Sequence, residues 1–176
     1  MKKMCAVLIG TLLAGCDEAT VITHVDKLSH MSLSDLVTMQ DGGGIPVEVH
    51  GLPFSGVPAG GLVAAMRPPA AASQGIRFRP IEPGHGTGHG WRLVLHFNPT
   101  GAPNGFADCK HSAEQRTNPP KPEGFEVNAT FCNGDDWQAH GFMKSLKTRD
   151  GDVEAYRDAM QQLMVAIFRE NTDKDR

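Results

Sequence analysis

The chain has 176 residues and a formal net charge of -3, a length that fits one ordinary domain with short additional segments. Apolar residues make up 40% of the sequence and charged residues 21%, so the composition supports a buried core beneath a normal polar surface. Nucleic-acid-binding proteins usually carry an excess of basic residues, and the acidic balance therefore argues against nucleic acid as a partner. The 20 glycines and 12 prolines predict short elements joined by many turns, not a helical bundle.

The first residues have the parts of an export signal. Lys2 and Lys3 supply positive charge, and the apolar segment at 4–14 is too short to span a bilayer, which takes about 20 residues. The segment leads into Leu13-Ala14-Gly15-Cys16, which resembles the lipobox of bacterial lipoprotein signal peptides. This resemblance implies that residues 1–15 are a signal peptide that is removed, and that the thiol of Cys16 carries a diacylglyceryl group, while the new amine can be acylated in addition.

The same resemblance implies a location. A cysteine with two acyl chains is held stably in a membrane, whereas one chain gives only marginal binding. We therefore expect a protein of the bacterial cell envelope that faces the periplasm and contacts the membrane through the lipid on Cys16, with no other cofactor. Asp17 resembles the retention signal of enterobacterial lipoproteins and favours the inner over the outer membrane, although Asp17 and Glu18 could also simply keep this stretch solvated. An ordinary signal peptide that contains a cysteine, or a buried N-terminal helix, are the alternatives to a lipid anchor.

Composition divides the rest of the chain into three parts. Residues 16–44 are predicted to be the lipidated cysteine and a flexible tether, because the stretch is mostly polar and ends in three glycines. As a random coil, the 28 residues from 17 to 44 would reach roughly 30 Å. Residues 32–40 have an N-cap and a short apolar stripe that predict one or two helical turns within the tether. Residues 45–170 are predicted to be a single globular domain, followed by a polar tail at 171–176.

The hydrophobic pattern of the domain predicts strand, helix, two strands, a long loop, two strands and a final helix. The predicted strands are 45–54, 76–81, 91–98, 123–132 and 137–146, the last weakened by Gly141. A short helix at 60–69 is stopped by two prolines, and the last helix follows a 3.6-residue apolar stripe over 153–168. We therefore expect an α+β fold: an antiparallel sheet of about five strands, the C-terminal amphipathic helix packed on one face, and a short helix after the first strand.

Two cysteines remain for the folded part. Cys5 leaves with the signal peptide and Cys16 takes the lipid, so Cys109 and Cys132 are expected to form a disulfide in an oxidising compartment. The bond would close a loop of about 24 residues and contribute roughly 3 kcal/mol. A redox or nucleophilic thiol is the alternative, but the chain has no Cys-x-x-Cys motif and no evident helix N-terminus beside either cysteine.

Basic side chains alternate with apolar ones on the second and third predicted strands. If these two strands form a hairpin, Arg77, Arg79, Arg92 and His96 share the face opposite the core. Such a patch on an acidic protein could contact phospholipid headgroups, an acidic glycan or a partner protein. The alternative is a solvated outer face that Glu48, on the neighbouring strand, partly neutralises.

His85 and His89 lie in the glycine-rich loop between the same two strands. A metal site takes three or four ligands, and the candidates for further ligands are His50, His96 and Cys109. No recognisable spacing joins these residues, so the simplest interpretation is a hairpin loop with incidental histidines. Weak metal binding and a catalytic metal are the alternatives.

No catalytic residue is assigned, because the sequence has no nucleophile-elbow, metalloprotease or phosphate-loop motif. We expect a membrane-anchored envelope lipoprotein that binds or assembles a protein or an envelope component such as a glycan, without catalysing a reaction. The alternative is a small envelope enzyme or a metal-binding protein that uses the loop of His85 and His89.

Overall fold

The computed structural model describes residues 20–27, 34–40, 42–69, 75–84 and 90–168, so Cys16, Asp17 and the predicted tail lie outside the described residues. The strands are β1 (Thr20–Lys27), β2 (Ile45–His50), β3 (Phe78–Ile81), β4 (Trp91–Phe97), β5 (Glu123–Asn133) and β6 (Asp136–Arg149). The α-helices are α1 (Asp35–Thr38), α2 (Ala59–Ala65), α3 (Gly105–Lys110) and α4 (Val153–Phe168), and a short 3-10 helix covers Ser112–Glu114. Within these described ranges, no helix is both long enough and apolar enough to cross a membrane.

Six strands form one sheet in the order β1-β6-β5-β4-β2-β3. The pairs β1–β6, β6–β5 and β5–β4 are antiparallel, whereas β2 runs parallel to both β4 and β3. The predicted α+β class and C-terminal helix are confirmed, but the prediction of a purely antiparallel sheet of about five strands is wrong. The physical reason is α2, which carries the chain back along the sheet between β2 and β3 and so makes these strands parallel. The expected hairpin of β3 and β4 is also wrong, because β2 lies between them.

Strand β1 lies within the segment predicted to be a tether. It pairs with β6 from Thr20 opposite Ser145 to Lys27 opposite Ala139, and it forms one edge of the sheet. Side chains of Ile22 and other residues of β1 pack against the core. The prediction of a tether therefore does not hold over these residues, whose β-branched side chains favour an extended strand.

One face of the sheet carries the apolar core beneath α4. The helix buries Tyr156, Ala159, Met160, Leu163, Met164, Ile167 and Phe168. It can approach β6 closely at Gly141, where an added Cβ would lie 2.8 Å from Cγ1 of Ile167 and 3.0 Å from Cδ1 of Leu163. This glycine, expected only to weaken the strand, makes room for the helix.

Helix α3 and the 3-10 helix cover part of the opposite face of the sheet. A disulfide between Cys109 on α3 and Cys132 on β5 fastens this cover, which confirms the predicted pair. The two cysteines and Val94 form a small apolar cluster, with Trp137 packed against it. The face opposite α4 is therefore largely enclosed in its centre, and not the solvated surface that alternation alone indicated.

Candidate functional site

The polar face of the sheet, which we define as the face opposite α4, gathers the chemically active side chains. The buried polar residues at the centre of this face and in the cover above it are Glu48, Arg92, His96, Asp108, Ser112, Asn128 and Thr130. Strand alternation places those of β2, β4 and β5 on this face, because their sequence neighbours point into the apolar core. Asp108 and Ser112 come from the cover of α3 and the 3-10 helix.

Glu48 is the centre of the first part of this network. Its Oε1 accepts hydrogen bonds from Oγ of Ser112 at 2.7 Å and from the backbone N–H of Gly84 at 2.6 Å, and it lies 2.8 Å from Nε2 of His50. Its Oε2 lies 3.4 Å from Nε of Arg92. Burial by itself raises the pKa of Glu48, but the hydrogen bonds of His50, Gly84 and Ser112 and the charge of His50 outweigh it and lower the pKa to about 2. Glu48 is therefore an ionised carboxylate at neutral pH.

Arg92 connects the sheet to its cover. The guanidinium donates to the carbonyl oxygen of Gly134 at 2.6 Å and to the carbonyl oxygen of Cys109. Burial lowers the pKa of Arg92, and the negative charges of Glu48 and Asp135 oppose that shift. One buried cation thus joins β4 to α3 and to the turn between β5 and β6.

A histidine and an aspartate form the second part of the network. Nδ1 of His96 lies 3.0 Å from Oδ1 of Asp108, and Nε2 of His96 lies 3.1 Å from the backbone oxygen of Ser112. The other carboxylate oxygen of Asp108 accepts from Oγ1 of Thr130 at 2.5 Å and from the amide of Asn128. Both oxygens of this buried aspartate therefore face groups from the sheet, and one of them accepts two hydrogen bonds.

The enclosure of this network decides what it can do. A histidine oriented by an aspartate is typical of nucleophilic catalysis, but His96 is only 1% exposed and its Nε2 already contacts the backbone of the cover. The ring of His50 stacks on that of His96 with centroids 4.4 Å apart. A substrate would have to displace α3 to reach the pair. We interpret the network as the polar contact that holds the cover on the sheet.

The structure separates the four residues of the predicted basic patch. Arg92 and His96 are buried and lie beside carboxylates, whereas Arg77 is exposed just before β3 and Arg79 is half-buried on β3. They do not form one solvated basic surface. Two causes account for this: β2 separates the two strands, and the α3 cover encloses the centre of the face.

The predicted histidine loop cannot be placed, because His85 and His89 lie outside the described residues. The residues considered as their partners have other roles. His50 and His96 belong to the buried network, and Cys109 is in the disulfide.

A second cluster lies on the polar face of the sheet, at the edge formed by β1 and its neighbour β6. His24 and Asp26 on β1 and His140 on β6 have ligand atoms that all lie within 4.8 Å of one another. The side chains of His24 and Asp26 are 48% and 55% exposed, whereas His140 is buried. Burial lowers the pKa of His140, the charge of His24 acts in the same direction, and Asp108 and Asp26 oppose the shift.

Sequence reasoning missed this edge cluster, although part of the signal was present. His24 and Asp26 are two residues apart in a β-branched run, so they share one face if that run is a strand. His140 joins them only through the pairing of β1 with β6, where it lies opposite Asp26.

No protein-family model, no curated protein and no solved structure matches this chain.

Proposed function

We propose that the protein is a lipid-anchored protein of the bacterial envelope that binds a protein or an envelope component at the periplasmic side of a membrane, without catalysing a reaction. The observation that carries this proposal is the order of three features at the start of the chain: two lysines, a short apolar segment, and then the sequence Leu-Ala-Gly-Cys. The Cys109–Cys132 disulfide supports it, because such bonds persist in oxidising compartments. Asp17 supports retention in the inner membrane.

The geometry of the described residues favours binding over catalysis. The buried pair of His96 and Asp108 is closed beneath α3, so a substrate could reach it only by displacing the cover. A second role in metal binding through His85 and His89 draws no support from the part of the chain that the structure describes.

The position of β1 restricts where a partner would be bound. Three residues separate Cys16 from Thr20, the first residue of the sheet. Even fully extended, the four steps from Cys16 to Thr20 reach about 14 Å. A lipid on Cys16 would therefore hold the domain beside the lipid headgroups, and we propose a partner that itself lies at the membrane surface.

Acyl labelling tests the anchor. The full-length protein is expressed in bacteria fed a radiolabelled fatty acid, beside the variants Cys16→Ala and Cys5→Ala. We expect label on the unchanged protein and on Cys5→Ala, and none on Cys16→Ala, because only Cys16 stands in the lipobox. Equal labelling of Cys16→Ala would refute the proposal.

A further inference from the structure

We propose that His24, Asp26 and His140 form a binding site for a late first-row divalent cation, with Zn²⁺ as the favoured ion. Two imidazoles and one carboxylate are a donor set that suits Zn²⁺. Three protein ligands leave a fourth position for water or for a group from a binding partner. The site is distinct from the buried network around Glu48 and uses none of its groups.

The register of the two strands brings the three donors together. Asp26 lies directly opposite His140 in the antiparallel ladder, and His24 is paired with the next residue on the same face of β6, Phe142. Nε2 of His24 lies 2.6 Å from Oδ2 of Asp26. Ligands at Zn²⁺ bond lengths in a tetrahedral site are about 3.4 Å apart. The three donors already lie within 4.8 Å of one another, so the proposed site needs only small changes in their side-chain positions.

A second observation, independent of how close the three ligand atoms lie, comes from His140. Its side chain is 3% exposed, and its Nε2 is buried without a hydrogen-bond partner among the described residues. An unsatisfied buried polar group destabilises the folded state, and native proteins rarely leave one without a reason. A cation bound at this nitrogen would satisfy it, whereas the exposed His24 and Asp26 would give the ion a path from solvent.

The location of the cluster gives the cation a structural effect. Two ligands lie on the edge strand β1 and the third lies on its neighbour β6, so a bound ion would join the two strands across the ladder. Binding would therefore stabilise the folded state by mass action, and above the Kd the gain would grow with the logarithm of the free cation concentration.

Metal titration of the full-length protein, purified in detergent and stripped with a chelator, tests the site. Zn²⁺ is titrated by calorimetry, and Co²⁺ by its visible absorption, into the unchanged protein and into His24→Asn and Asp26→Asn. Both substituted positions are exposed, so these variants are expected to fold. We expect one Zn²⁺ per chain, a rise in melting temperature on binding, and affinity at least about tenfold weaker in each variant.

Two control variants separate this site from other histidines. His111→Asn removes an exposed histidine that lies 3.3 Å from Glu114, a comparable pair with no third ligand within the described ranges, and should leave the affinity unchanged. A double variant, His85→Asn with His89→Asn, should also keep the tight site. Binding that is unchanged in His24→Asn and Asp26→Asn, or that is lost instead in the loop variant, would overturn the proposal.

Discussion

Glu48 has no solvent exposure, yet it is charged. Donors from three separate segments compensate for the lost water: Ser112 of the cover, the backbone of Gly84, and His50 of the same strand, with Arg92 beside them. Its pKa falls from an ordinary value of 4.5 to about 2. A carboxyl group with a lowered pKa adds stability above its unfolded-state pKa, and this stability is lost as the pH falls through the folded-state value.

We therefore predict a pH-dependent effect of Glu48→Gln. At neutral pH the free energy of unfolding should fall by about 3 kcal/mol, because His50 and Arg92 lose the charge that they face. The difference from the unchanged protein should shrink between pH 4.5 and about 2. Urea denaturation at a series of pH values measures it.

The matched control is Glu126→Gln. Glu126 is 28% exposed and lies 3.2 Å from Nζ of Lys144, so its loss should change the stability by less than about 1 kcal/mol. A difference for Glu48→Gln that stayed constant across the acid range would contradict the charge argument.

Sequence patterns identified some of these residues but not their environment. Counting cysteines was enough to pair Cys109 with Cys132, and alternation correctly placed Arg92 and His96 away from the core. Their burial could not be predicted, because it depends on where α3 packs. The edge cluster needed a strand pairing that no local pattern contains, which is why His140 was missed.

At the scale of elements, the contact between α4 and β6 depends on a residue without a side chain. We predict that Gly141→Ala lowers the free energy of unfolding by about 1–3 kcal/mol, because its new methyl group would crowd Ile167 and Leu163. An alanine normally suits a strand better than a glycine, so the sign of the change separates crowding from backbone preference. Thermal or urea denaturation measures it.

Gly101→Ala is the control for this prediction. An added Cβ at Gly101 would have no atom within 4 Å, so the change should be neutral or slightly stabilising, by up to about 1 kcal/mol. Equal stabilisation of both variants would show that α4 does not press on β6 at this point.

Element types were easier to predict than their arrangement. The apolar stripe over 153–168 correctly predicted the bounds of α4, because apolar residues recur on one face of this helix along its whole length. Strand β1 was missed because its apolar residues Val21, Ile22 and Val25 do not alternate, and the ladder is irregular between Ile22 and His24. Strand direction depends on the connecting helices, and periodicity says nothing about it.

At the scale of the whole molecule, two truncations distinguish an edge strand from a tether. A chain that begins at Thr20 keeps the full sheet and should unfold with unchanged free energy. A chain that begins at residue 28 lacks β1, loses the apolar contacts of Ile22 and Val25, and exposes the edge of β6. We expect it to be about 2–4 kcal/mol less stable and prone to self-association.

Urea denaturation and size-exclusion chromatography measure the two effects of this truncation. Equal stability and a monomeric state for both chains would mean that residues 20–27 act as a tether in solution.

The edge position of β1 also determines how the domain would respond to mechanical load. With the lipid proposed on Cys16 as the fixed point, a pull directed along β1 would enter the described fold at Thr20. The hydrogen bonds of an antiparallel ladder lie perpendicular to the strands, so this pull would strain all bonds between β1 and β6 together and not one after another. A domain anchored in this way would resist unfolding under such a force, and the first element to detach from the sheet would be the edge strand β1.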